Sequence, residues 1–284
     1  MICLPNAKIN LGLYVTGVRA DGMHTLETVM LPIPLQDVLE TKPLHFYDTQ
    51  YELVTAGLPI NGQPEDNLVA KVYRDLQAEF HLPPRTLHLY KRIPMGAGMG
   101  GGSSDAAFMM RLANEEFRLG LSAEEMRKRL VKIGADCPFF VDDVPAFATG
   151  VGEELSPLPE GIPQLEGKWL LLVKPEDHVS TKEAYAHVPV AKAPVDLHEA
   201  IRRPIEEWRG LISNDFEKSV LPGHPKIAAI RQTLYDLHAI YASMTGSGSA
   251  VYGFFDNSVP DPDVVFDGCF TFQSRYHLFR PTFS

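Results

Sequence analysis

The chain has 284 residues, 45% hydrophobic and 22% charged, a balance that fits a folded protein of one large or two modest domains. A formal net charge of −10 argues against nonspecific binding to nucleic acid or anionic membranes, so any phosphate site must gather cations locally, which singles out Lys8, Lys91 and Arg92. Cys3, Cys137 and Cys269 show no C-x-x-C spacing, the histidines no ligand spacing, no apolar run reaches the ~18 residues of a membrane span, and the start lacks a basic-then-apolar leader; a reduced, cytoplasmic protein is expected.

Residues 7–16 alternate strictly, with Ala7, Ile9, Leu11, Leu13 and Val15 on one face and Lys8, Asn10, Gly12, Tyr14 and Thr16 on the other. Lys8 and Asn10 therefore point the same way from a core-building strand, and on spacing alone their face reads as solvated. A turn at 17–22 leads to a second extended run, Met23 to Leu31. Residues 40–64 are poorly periodic, with short strands and turns around Gly57, Pro59, Gly62 and Pro64. Asp66 and Asn67 then cap a helix bearing Leu68, Val69, Val72, Tyr73, Leu76 and Phe80, which Pro83 and Pro84 end. Residues 86–93 alternate again, as a half-buried strand does.

The stretch that follows is Pro94, Met95, Gly96, Ala97, Gly98, Met99, Gly100, Gly101, Gly102, Ser103, Ser104. Beyond it Ala107, Met110, Leu112, Ala113 and Phe117 recur at helical spacing up to Gly120, and Ser103 or Ser104 is expected to cap that helix. Glycines between a strand and a helix N-terminus can turn successive N–H groups toward one anion, although a plain tight turn has the same composition. A Walker A loop would need Lys-Ser/Thr after its last glycine, and Ser103-Ser104-Asp105 follows instead. Gly96, Gly98 and Gly101 satisfy G-x-G-x-x-G, but Pro94 interrupts the approach and no strand ends in an acid about twenty residues on.

Ser122 and Glu125 form a capping box for the next helix, running to about Gly134. Asp136 lies just past it, ahead of Pro138 and two phenylalanines, either as a turn cap or as a partly desolvated carboxylate with chemistry to do. Composition shifts at 156–163, where a domain boundary is expected, giving domains 1–160 and 161–284. The apolar run 168–174 reads as a buried strand, and Thr181 as the cap of a short helix presenting Tyr185. Ile227, Ile230, Leu234 and Leu237 mark a helix begun near Pro225. Strands at 240–244 and 251–255 flank a small-residue loop, Thr245-Gly246-Ser247-Gly248-Ser249. Residues 257–268 are short and proline-bearing, so a trimmed C-terminal region is expected in place of a full helix.

The string Pro-x-x-x-Gly-Met-Gly-Gly-Gly-Ser-Ser-x-Ala-Ala resembles the phosphate loop of the GHMP small-molecule kinases. Pro5 to Leu11, the turn Asp21-Gly22-Met23-His24, and Gly-Ala-Asp-x-Pro-Phe around Asp136 resemble the branch that acts on a cytidine diphosphate-linked polyol of the non-mevalonate isoprenoid route. Residues 147–153, 213–217 and 245–249 resemble further segments of the family, so the likeness runs through nearly the whole chain. It implies two α+β domains, the N-terminal one with the phosphate loop and a left-handed βαβ unit, the C-terminal one ferredoxin-like. It implies ATP and Mg²⁺ as cofactors and phosphorylation of the polyol's tertiary 2-hydroxyl. In that reading Lys8 and Asp136 are catalytic, and Asn67 and Lys91 lie near adenine. Residues 94–104 hold the phosphates, and Ser103 or Ser104 reaches the metal. Asn10, His24, Gly246 and Ser247 meet substrate, with Tyr185 stacking on cytosine. Met23 replaces the branch's usual tyrosine, leaving one base contact to a thioether. Rival readings are another GHMP kinase for homoserine, mevalonate or a sugar, a nucleotide-binding dehydrogenase, and a noncatalytic binding module. Monomer and homodimer both remain open.

Overall fold

The computed structural model describes residues 1–44 and 50–277. In chain order its N-terminal half runs β1 (Ile2–Cys3), β2 (Asn6–Val18), β3 (His24–Gln36), β4 (Val38–Pro43), β5 (Tyr51–Gly57), α1 (Leu68–Phe80), β6 (Arg85–Lys91), α2 (Gly101–Glu116), α3 (Ala123–Leu130), α4 (Phe139–Asp142), β7 (Ala146–Thr149) and β8 (Glu154–Pro157). The C-terminal half adds β9 (Trp169–Lys174), α5 (Thr181–Ala186), α6 (Leu197–Ala200), α7 (Phe216–Val220), α8 (Pro225–Asp236), β10 (Tyr241–Met244), β11 (Val251–Phe255), α9 (Pro262–Val265) and β12 (Phe270–Arg275).

The alternation of residues 7–16 does make a strand, but its second face does not meet water. Lys8 and Asn10 are only 3% and 2% exposed, because α2 and β10 pack against β2. The antiparallel pairing of β2 with β3 slips at Leu11/Leu13, and Leu197 and Ile212 press on Gly12 within that slip. Three four-stranded sheets result, ordered β1-β4-β6-β5, β2-β3-β7-β8 and β10-β11-β9-β12. In the first, β5 and β6 are parallel, and α1 makes the crossover that a parallel pair requires. The third is antiparallel throughout and has the strand order of a ferredoxin-like βαββαβ unit. The fold is a two-domain α+β fold, as expected.

Helix starts follow local chemistry, with two corrections. Asn67 caps α1 by accepting from the Val69 N–H at 2.9 Å, and Ser122 and Glu125 form the reciprocal capping box of α3. Neither Ser103 nor Ser104 caps α2. Gly100, in the left-handed region at φ +67°, turns the chain into the helix before the serines are reached, so both lie in its first turn. Ser180, not Thr181, caps α5 by accepting from Glu183 N–H. The proline-bearing segment 257–268 still forms a helical turn, α9, with Pro262 in its first positions. The last seven residues of the C-terminal stretch, 278–284, lie outside the described residues.

One core cluster packs α1 and α2 on the first sheet, and another packs α7 and α8 on the third. A further cluster joins Ile9 and Leu11 of β2 to Leu170, Trp208, Tyr252 and Tyr276, so apolar packing runs without a break from one half to the other.

Candidate active site

The glycine loop leaves β6 under tight control. Asp37, wholly buried, accepts from the backbone N–H groups of Arg92 at 2.5 Å and Ile93 at 2.8 Å. The Lys91 ammonium lies between Asp37 and Asp105, 2.6 Å from the latter. Burial pushes the Asp105 carboxyl up to about 7 against the pull of Lys91, with Asp37 adding to the rise. Lys91 and Asn67 line the same hollow, as the expectation had them side by side. The Lys91 charge is committed to two carboxylates that brace the loop's entry and exit.

Within the loop, Gly98 sits at φ +73°, and a Cβ there would stand 2.0 Å from the Thr245 carbonyl oxygen. A Cβ on Gly100 would come within 3.0 Å of the Phe140 ring and 3.2 Å of Lys8 Cε. The glycines thus allow a close approach of the C-terminal 245–249 loop and of the lysine as well as of a ligand. Thr245 fastens the junction. Its hydroxyl lies 3.1 Å from the Gly98 carbonyl and accepts from Asn10 N–H at 3.1 Å. Asn214 holds the same loop through the Met244 and Gly246 carbonyls at 2.8 and 2.9 Å.

On β2, the Lys8 ammonium donates to Asn10 Oδ1 at 2.6 Å and stands 3.3 Å from Asp136 Oδ2. Asn10 is immobilised in turn: its Nδ2 donates to Thr28 Oγ1 at 3.1 Å and its carbonyl accepts from the Tyr252 hydroxyl at 2.8 Å. The Asp136 side chain is 33% exposed, so the pair consists of a buried cation and a carboxylate open to whatever enters the cavity. Beside it Cys137 is buried against Ser103, and burial pushes its thiol up to about 12, which leaves it unreactive.

A cavity of about 470 Å³ collects these parts: the loop from Pro94 to Ser103, Asp136, residues 178–181, and Ser247 with Gly248. It shares Leu68, Lys91, Met95 and Gly102 with a smaller hollow of about 190 Å³ that Leu53, Thr55, Asn61 and Asn67 help line. Ser103 faces the larger cavity, whereas Ser104 is fully buried and its hydroxyl has no hydrogen-bond partner, so Ser104 is removed as a metal contact.

At the other end, His24 and Tyr185 come together with ring centroids 4.6 Å apart and planes 31° apart, and Phe216 meets Tyr185 edge-on at 4.8 Å. One face of the Tyr185 ring is therefore covered by His24. Met23 is 49% exposed beside His24, and its N–H is tied to Asp21 Oδ1 at 3.1 Å. Gly246 belongs with the Lys8–Asn10 end, since a Cβ on it would lie 3.4 Å from Asn10 Oδ1. Asp37 escaped the sequence reading, and Asn214, within the family-like segment 213–217, was given no role. Neither carries a local signal for these roles, because each acts on backbone distant in sequence.

Among the described residues no group of three or more His, Cys, Asp or Glu side chains could hold a metal ion, and no helix is long and apolar enough to cross a membrane.

Comparison with known proteins gives a consistent family. Residues 67–151 match the model described as GHMP kinases N terminal domain, and residues 197–265 that of GHMP kinases C terminal. A protein of Bacteroides thetaiotaomicron named 4-diphosphocytidyl-2-C-methyl-D-erythritol kinase is 49% identical over 93% of this chain and 96% of its own length. One of the same name from Bacteroides fragilis is 48% identical over 97% and 99%. Among solved structures, a 4-(cytidine 5'-diphospho)-2C-methyl-D-erythritol kinase superposes with a TM-score of 0.76 at 28% identity, covering 98% of this chain and all of its own. A mevalonate kinase superposes at 0.66 with 14% identity, a likeness of fold alone.

Proposed function

Because the chain belongs to the GHMP kinases, and within them to the 4-diphosphocytidyl-2-C-methyl-D-erythritol kinases, we propose a mechanism for its transfer of the γ-phosphoryl group of ATP to the 2-hydroxyl of that substrate. The observation that carries it is the Lys8–Asp136 pair, 3.3 Å apart, with Asp136 in the lining of the glycine-lined cavity.

Phosphoryl transfer asks a protein chiefly for alignment and for charge where charge develops. The loop from Gly96 to Ser103 supplies N–H groups for the phosphates. Asp136, the exposed partner, accepts the proton of the attacking hydroxyl. Lys8 places its cation between that carboxylate and the loop, and Asn10 fixes the ammonium. Ser103 is the hydroxyl that would hold Mg²⁺. Such an ion, when bound, would supply neutralisation of phosphate charge. Adenine takes the hollow beside Asn67. The His24–Tyr185–Phe216 cluster meets the cytidine end, with the base packing on the outside of the ring pair and beside Met23. We place the boundary between the halves at about residue 160, between β8 and β9.

The test is ADP release from ATP with single alcohols. Turnover is expected with 4-diphosphocytidyl-2-C-methyl-D-erythritol and not with methylerythritol phosphate lacking the cytidylyl group. Equal use of the truncated alcohol would remove the cytidine pocket, and preference for homoserine or mevalonate would reassign the substrate.

A further inference from the structure

We propose that His178 is a direct ligand of the nucleotide's polyphosphate, reaching it from above the first glycine of the loop. The inference rests on the kinase reading of the same cavity and adds to it a residue that reaches the phosphates from the C-terminal half.

The geometry is close. A Cβ built on Gly96 would stand 2.8 Å from His178 Cε1 and 2.9 Å from its Nδ1, so the imidazole lies directly over the first glycine of the loop. The ring is exposed and lines the 470 Å³ cavity. Lys91 and His178 are the only lysine, arginine or histidine side chains in that lining, and Lys91 is already spent on Asp37 and Asp105. Asp136 adds negative charge to the same wall. A triphosphate needs cationic or N–H donors beyond the loop's own amides, and His178 is placed to be a side-chain donor from the C-terminal half.

The backbone on either side of the ring is held in place. Asp177 before it is anchored through its carbonyl, which accepts from the buried Ser249 hydroxyl at 2.6 Å. Val179 after it is buried in the C-terminal core, and Ser180 caps α5. The charged groups near it include Glu176, Asp177 and Lys174 on its own segment, the Lys174 ammonium donating to the Pro175 and Asp177 carbonyls, with Glu183 on α5 and Asp136 in the cavity lining. Glu183 is held below the ordinary carboxylate range chiefly by His224, with His178 a smaller contributor. From the loop side, residues 94–100 present no charged side chain.

The experiment is isothermal titration of the full chain with inorganic tripolyphosphate and, separately, with adenosine, for wild type, His178→Ala and His178→Lys. The alanine variant is expected to raise the tripolyphosphate Kd roughly tenfold, equivalent to about 1.4 kcal/mol, while adenosine binding and the melting temperature hold. His178→Lys is expected to restore tripolyphosphate binding. In steady state the alanine variant should raise KM for ATP more than KM for the alcohol. Equal tripolyphosphate affinity in wild type and the alanine variant overturns the proposal, as does a lysine variant as weak as alanine or a wild type that binds no tripolyphosphate. Because the titration needs no alcohol, loss of tripolyphosphate binding in a protein that phosphorylates no cytidylated substrate would uphold the contact and sink the kinase reading.

Discussion

At the scale of single residues, Lys8 and Asp136 differ in what their loss should cost. The Asp136 side chain is a third exposed, so Asp136→Asn should leave the melting temperature in place and keep ATP affinity, while kcat falls by roughly 10²–10⁴. Steady-state kinetics beside a thermal melt checks this, and a near-normal kcat would remove Asp136 from the base's role. Lys8→Met should lose kcat too, but Lys8 is buried and is Asn10's closest side-chain donor. A stability loss of about 1–2 kcal/mol is expected with it, read from denaturant unfolding; a fall several times larger would mark Lys8 as mainly structural. The sequence does put Lys8 and Asn10 on one face. It could not show that the face is roofed, because the roof comes from α2 and from β10, far along the chain. Lys91 teaches the same lesson from the other side. A cation next to a phosphate loop invites a ligand role, yet its carboxylate partners lie 54 and 14 residues away.

At the scale of elements, the strand–loop–helix unit was legible because each part carries its own pattern, period two, then glycines, then period 3.6. So were α1 and α3, whose caps are encoded within four residues. What pattern did not reveal was where α2 starts, since a left-handed Gly100 needs no side chain to announce it. Nor did it reveal that the loop leans on a second loop. That contact makes a sharp prediction. Gly98→Ala, with its Cβ 2.0 Å from the Thr245 carbonyl and φ at +73°, must push the two loops apart, lowering the melting temperature and ATP affinity together. Gly102→Ala is the comparison. Inside α2, with only a Leu68 methyl at 3.9 Å, its melting temperature should hold or rise, as alanine is favoured over glycine in helices by up to about 1 kcal/mol. Thermal melts and ATP titrations of both variants decide it, and a Gly98→Ala protein indistinguishable from wild type would dissolve the loop–loop coupling.

At the scale of the molecule, stability should depend on pH through Asp143. Its carboxyl is buried at the end of α4, accepts from Asn6 Nδ2 at 3.0 Å, and is pushed up to about 7 by burial, against the Asn6 bond and Arg111. An unfolded aspartate titrates near 3.9. Between about pH 4 and pH 7 the folded state therefore holds a proton that the unfolded state has released, and stability falls as pH rises through that window. Asp143→Asn keeps the Asn6 bond and abolishes the titration. Its advantage over wild type in thermal melts should grow from pH 4 to pH 7 and then level off; a constant or shrinking difference would contradict the raised carboxyl.

The strand β2 ties the two halves more tightly than a boundary at residue 160 suggests. One edge pairs with β3, while on the other Leu13 N–H donates to the Ser213 carbonyl, Asp215 N–H to the Leu13 carbonyl, and Ala191 N–H to the Val15 carbonyl. Separating the two halves breaks the bonds at Leu13 and Val15 as well as the shared apolar core. In deuterated water the β2 amides should be among the last in the molecule to exchange, at the free energy of complete unfolding, and the two halves should melt as a single cooperative unit.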